Sequence, residues 1–115
     1  MKATFVYDID LVCKLDEYTA NHQPAILCFE KQAIDDGTCI GSYGILTVNL
    51  DDDYVDLCNQ DVDSEWFYQY IDVNNWPGIE DTLAEYDWCE PVGITMPSGY
   101  VKYPLYKFRK EAFNA

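Results

Sequence analysis

Apolar and polar positions along this chain alternate, or gather in blocks of four to six, over most of its length. That is the pattern of strands more than of helices. Thr4-Phe5-Val6-Tyr7 and Leu11-Val12-Cys13 predict two short strands joined as a hairpin through residues 8–10. Ala25-Ile26-Leu27-Cys28-Phe29, following Pro24, predicts a buried strand, and Asp36-Gly37 a turn. Over residues 42–50, Ile45, Thr47 and Asn49 alternate with Leu46, Val48 and Leu50, which predicts one half-buried strand. Trp66-Phe67-Tyr68-Gln69-Tyr70-Ile71 predicts another, aromatic-rich as strands prefer. One helix is signalled. Asn74-Asn75 stand where a cap would, Pro77 suits a first turn, and Glu80 and Asp81 suit the N-terminal dipole. Trp76, Ile79, Leu83 and Tyr86 share a face at helical spacing, and the helix is expected to stop near Cys89-Glu90-Pro91. Pro97-Ser98-Gly99 predicts a turn. Residues 100–108 predict a last strand, placed at a sheet edge by Pro104, with Tyr100, Tyr103, Leu105 and Phe108 packing the sheet. A short helix over residues 107–113 would close the chain. The fold class is α+β, a mostly antiparallel β-sheet with one or two short helices.

Composition sharpens this picture. The 115 residues suffice for a single domain over 1–115, and 49% hydrophobic with 16% aromatic residues supply a core that a disordered acidic tail would lack. Seven Lys and Arg face twenty-one Asp and Glu, a net charge of −14. Such a surface repels nucleic acid and anionic membranes and attracts basic protein grooves. From Gln32 to Val101 there is no Lys or Arg at all, whereas fifteen Asp and Glu occur there; Lys102, Lys107, Arg109 and Lys110 crowd the end. No apolar run reaches the length of a membrane span, and Asp8 and Asp10 arrive before a secretory leader can develop. The five cysteines (Cys13, Cys28, Cys39, Cys58 and Cys89) include no closely spaced pair, so neither a zinc site nor a disulfide framework is expected, and reduced thiols in a cytoplasm are.

The densest chemical feature is Asp51-Asp52-Asp53 with Asp56, then Asp61, Asp63 and Glu65. As a calcium loop, Asp61, Asp63, Glu65 and Asp72 would fill the first, third, fifth and twelfth positions, but Trp66 stands where the turn glycine belongs. As a phosphate mimic, alternate residues on an extended strand lie about 6.7 Å apart, near two phosphate steps of about 3.4 Å each. Asp51/Asp53 and Asp61/Asp63/Glu65 have that spacing. The plain alternative is a solvated acidic loop. Catalysis has little support: His22 reads as an exposed turn residue, no carboxylate pair is marked out, and no glycine-rich phosphate loop is present. No catalytic residue, metal ligand or cofactor is assigned.

Three segments carry a resemblance: Gly44-Ile45-Leu46-Thr47-Val48-Asn49-Leu50, Ile71-Asp72-Val73-Asn74-Asn75-Trp76-Pro77-Gly78-Ile79, and Glu90-Pro91-Val92-Gly93 followed by Ser98-Gly99-Tyr100-Val101-Lys102-Tyr103-Pro104-Leu105-Tyr106-Lys107-Phe108. In this order and spacing the chain resembles a bacterial family, domain of unknown function 4313, over roughly residues 25–108. The resemblance implies an origin in phages and conjugative elements and brings no enzyme activity, cofactor or catalytic residue.

The expectation is therefore a small acidic accessory protein of a phage or mobile element, acting in the bacterial cytoplasm without binding nucleic acid itself. Its partner would be a basic protein surface, such as that of a host Cas or restriction nuclease, blocked by DNA mimicry. The contacts would be Asp51, Asp52, Asp53, Asp56, Asp61, Asp63 and Glu65, anchored by Tyr54, Trp66 and Tyr68. The alternatives are a general interaction domain without inhibitory role, and a metal-dependent enzyme using the Asp cluster.

Overall fold

The computed structural model of the chain describes residues 2–4, 10–30 and 44–113. Two antiparallel four-stranded sheets face each other. The first is ordered β1-β2-β3-β4 from β1 (Lys2–Thr4), β2 (Asp10–Glu17), β3 (Pro24–Glu30) and β4 (Gly44–Ile45). The second is ordered β5-β6-β8-β7 from β5 (Thr47–Val48), β6 (Trp66–Ile71), β7 (Cys89–Ser98) and β8 (Val101–Arg109). Two short helices, α1 (Asp53–Cys58) and α2 (Ile79–Leu83), and a closing 3-10 turn (Lys110–Phe113) complete the α+β fold. The N-terminal hairpin pairs antiparallel, Lys2 opposite Val12, while Phe5, Val6, Tyr7 and the turn at Asp36-Gly37 lie outside the described residues.

The expected strand over 42–50 is two strands in two sheets. Leu46 is the corner: its N–H donates to the Ile26 carbonyl of the first sheet at 2.9 Å, and its own carbonyl accepts from Asp72 N, just past β6, at 2.9 Å. Consecutive burial of Leu46 and Thr47 breaks the alternation there. Along β6 the two-residue period survives. Phe67 and Ile71 point into the larger core with Leu11, Cys13, Ile26, Cys28 and Phe108, whereas Tyr68 and Tyr70 point to the opposite face, against Val55 and Leu105.

Four further expectations change. The helix after Asn74-Asn75 covers only residues 79–83, and its N-cap is Gly78 at φ 78° with no side-chain cap; Asn75 instead donates to Asp72. Cys89 and Glu90 already belong to β7, and residues 107–109 to β8. β8 is an interior strand, paired to β6 and β7, not an edge. Pro104 is tolerated because pairing to β6 ends at Leu105, so its missing N–H faces no partner strand, and opposite it β7 is irregular between Pro91 and Thr95. Tyr100 packs against nothing; it is fully exposed in the two-residue turn that joins β7 to β8, where Gly99 takes φ 62° in the Gly-first manner of a type II′ hairpin.

Candidate functional site

Residues 51–65 form one continuous segment over the outer face of the second sheet. Asp52 is extended (φ −94°, ψ 123°) and caps α1 by accepting from Tyr54 N, so what reads as a solvated loop is a helix start. Its other oxygen accepts from the buried Tyr70 hydroxyl at 2.5 Å, which fastens the cap to β6. Val55, fully buried, pins the helix to Tyr70 and Leu105. At the far end Asn59 takes the role of a strand residue: its side chain donates to Tyr68 O at 3.0 Å and accepts from Tyr68 N at 2.8 Å. The segment then turns at Asp61, whose carboxylate accepts from Asp63 N, and enters β6.

Six of the seven acids, Asp51, Asp53, Asp56, Asp61, Asp63 and Glu65, are exposed; Asp52 is half-buried and occupied by the cap and Tyr70. None of the six is in an ion pair among the described residues, where the pairs are His22–Glu17 and Lys107–Glu90. They are not equivalent. Lys110 donates from Nζ to the Val62 carbonyl at 3.1 Å and so sits within the Asp61–Asp63 turn, while Arg109, Lys110 and Glu65 line one depression. Asp51 and Asp56 meet neutral donors instead, accepting from Asn21 Nδ2 at 2.9 Å and Gln23 Nε2 at 3.3 Å. Nor is the phosphate-like spacing realised, because Asp53 enters a helix and Asp61 to Asp63 close a turn. The calcium-loop spacing fails too: the extended β6 between them holds Glu65 and Asp72 about 23 Å apart, at 3.3 Å per strand residue. Among the described residues no group of three His, Cys, Asp or Glu is arranged to hold a metal ion.

Of the aromatic anchors, Tyr54 is exposed on α1, and Tyr68 is half-buried against Val55 and Tyr70. Trp66 is instead flanked by cations, Lys107 Nζ at 4.3 Å and Arg109 at 4.4 Å from its ring centre. The pattern reading missed Leu57, 60% exposed, and Val62, 82% exposed. Leu57 follows Tyr54 by three residues, a one-face spacing that reads as such only once α1 is a helix.

A second feature lies at the sheet-to-sheet corner. A cleft of about 570 Å³ is lined by Tyr18, Ile45, Thr47, Val48, Asp72 and Trp76, among others. The Tyr18 and Thr47 hydroxyls are 2.9 Å apart, and Trp76 donates from Nε1 to the Ile45 carbonyl at 2.8 Å. Gly44 makes room for that indole, since a Cβ there would stand 2.9 Å from Trp76 Cζ2. Burial raises the Tyr18 phenol pKa against the lowering effect of the Thr47 hydrogen bond, and the Asp72 charge adds to the rise. The first two segments that carry the family resemblance meet at this cleft.

The chain belongs to the family described as Domain of unknown function (DUF4313), whose model matches residues 12–114. No curated protein and no solved structure matches it. No helix among the described residues is long and apolar enough to cross a membrane.

Proposed function

With membership of that family as the premise, we propose that the chain is a protein-binding module that seats segment 51–65 on a basic, nucleic-acid-binding groove of a partner and blocks it. The partner class is a host Cas or restriction nuclease, met in the bacterial cytoplasm, and the chain serves a phage or mobile element. One observation supports this above the rest: six exposed carboxylates, in no ion pair among the described residues, are interleaved with the exposed apolar side chains of Tyr54, Leu57 and Val62 on a single tethered segment. Carboxylates steer such an encounter and set its salt dependence, whereas buried aromatic and aliphatic anchors supply most of the affinity. Asp52 holds the segment in place and is not a contact. Trp66, between Lys107 and Arg109, marks the border of the acidic surface.

A plainer reading, an interaction domain without inhibitory role, draws support from Lys110 within the Asp61–Asp63 turn. Retention on columns of basic bacterial DNA-binding proteins separates the two. The wild type should be retained at low salt and released near 0.5 M, a regime in which the screening length falls to roughly 4 Å. Replacing Asp51, Asp53, Asp61 and Asp63 by Asn should abolish retention with the fold intact. Retention unchanged by those replacements sinks the inhibitory reading.

A further inference from the structure

The corner cleft contains a carboxylate whose charge is unanswered. Asp72 is only 9% exposed. Its two oxygens accept one hydrogen bond each, from Asn75 N at 3.3 Å and Asn75 Nδ2 at 2.7 Å, both neutral donors on one residue. Among the described residues no cation pairs with it. Buried carboxylates ordinarily face a cation or a fuller set of donors, because desolvation otherwise goes uncompensated. An ionised carboxyl has about four acceptor sites, so lone pairs remain open here.

The other walls narrow what can answer that charge. Thr47 Oγ1 already accepts from Ile26 N at 3.2 Å and shares a hydrogen bond with the Tyr18 hydroxyl. Among the described residues no Lys or Arg lines the cleft, and an anionic ligand would meet repulsion from Asp72. Ile45 and Val48 give an apolar wall, and Trp76 an aromatic one suited to a cation with a hydrocarbon stem.

We propose that this cleft binds an alkylguanidinium or alkylammonium group, its charged head on the Asp72 carboxylate and its stem along Ile45, Val48 and Trp76. The head comes from a free amine or from an Arg or Lys side chain. The site borders segment 51–65, Asn49 of its lining accepting from Asp51 N at 3.1 Å, but it does not rest on the function proposed for that segment.

The test is an NMR titration of the 15N-labelled full chain with n-butylguanidinium, n-butylammonium and n-butanol, read at the Trp76 indole N–H and the Asn75 side-chain amide. Both cations should shift these signals saturably; butanol, and sodium chloride at the same ionic strength, should not. Asp72→Asn should weaken binding at least tenfold. Ile45 is 40% exposed at the cleft wall, so Ile45→Lys tethers an ammonium beside Asp72 without disturbing the core and should block both probes. Should Asp72→Asn fail to fold, the Ile45→Lys variant decides. A capped tripeptide with central Arg binding more tightly than n-butylguanidinium assigns the site to a partner side chain, and the reverse order assigns it to free amines. Replacing Asp51, Asp53, Asp61 and Asp63 by Asn should leave these shifts in place. Equal shifts with butanol, or undiminished cation binding by Asp72→Asn or Ile45→Lys, overturn the proposal.

Discussion

Replacing Asp52 by Ala should destabilise the protein far more than replacing its neighbour Asp53. Two interactions vanish together. The cap to Tyr54 N is lost, which costs about 1 kcal/mol for an Asp-to-Ala change. The Tyr70 hydroxyl, in a residue with no exposed surface, loses its acceptor, and a buried donor left unpaired costs about 1–3 kcal/mol. The sum is about 2–4 kcal/mol. At about 4 °C per kcal/mol for a domain of this size, the melting midpoint should fall by roughly 8–16 °C. Asp53 is exposed, so Asp53→Ala forfeits only its interaction with the helix dipole, and the midpoint should move by a few degrees at most. Asp52→Asn keeps a capping oxygen and should fall between the two. A double-mutant cycle isolates the pair. Tyr70→Phe removes the donor with the ring retained, so Asp52→Ala should cost less in that background than in the wild type. Urea denaturation followed by tryptophan fluorescence measures all four corners. Additive costs, or an Asp52→Ala protein as stable as Asp53→Ala, would refute the assignment of Asp52 as the post that ties α1 to β6.

Stability should also fall in alkali. Burial, reinforced by Asp52 beside Tyr70 and Glu80 beside Tyr106, raises both phenols well above 10, and burial pushes the Cys89 thiol up to about 12. The unfolded chain releases these protons first, so the stabilisation is complete below pH 9 and is lost as pH rises through 10 toward 12. Denaturation midpoints that stay flat to pH 11.5 would contradict this. Gly44→Ala should destabilise by about 1–3 kcal/mol, because its Cβ meets the Trp76 ring at 2.9 Å; a shifted near-ultraviolet tryptophan signal is the check. Leu57→Ser and Val62→Ser should leave the melting midpoint in place, since both side chains are exposed, yet weaken partner retention together with Tyr54→Ser. Retention unchanged in that triple variant would remove the anchors from the account.

Much of the fold is legible in the chain itself. β3 and β6 begin and end within a residue of the apolar blocks that predict them, because each is flanked by turn or acidic residues. Leu46 is not legible as a corner. The alternation runs on through it, and only its two backbone hydrogen bonds, one to each sheet, show where the chain changes layer. α1 escapes notice for another reason: six residues are too few to display a helical period, and three consecutive Asp look like a loop although the second of them is a cap. Pro104 carries a correct local message, a backbone nitrogen with no hydrogen to donate where pairing to β6 has ended, within a strand that is interior overall. At the acidic segment, charge and exposure are readable from composition. The occupation of Asp52, the cations around Trp66 and the exposure of Leu57 and Val62 are not, since each depends on pairing between distant elements.

Occupation of a DNA-binding groove by segment 51–65 is measured most directly by a competition experiment. A bacterial basic nuclease retained by the immobilised wild-type chain is challenged with duplex DNA, and its association rate is followed by surface plasmon resonance across a salt series. Duplex DNA should displace the nuclease completely. The on-rate should fall steeply between 0.05 and 0.3 M salt, roughly the range over which the screening length shrinks from about 14 to 6 Å, and should lose most of that dependence when Asp51, Asp53, Asp61 and Asp63 are Asn. A nuclease that holds DNA and this chain at the same time, or an on-rate indifferent to those four charges, would contradict the account.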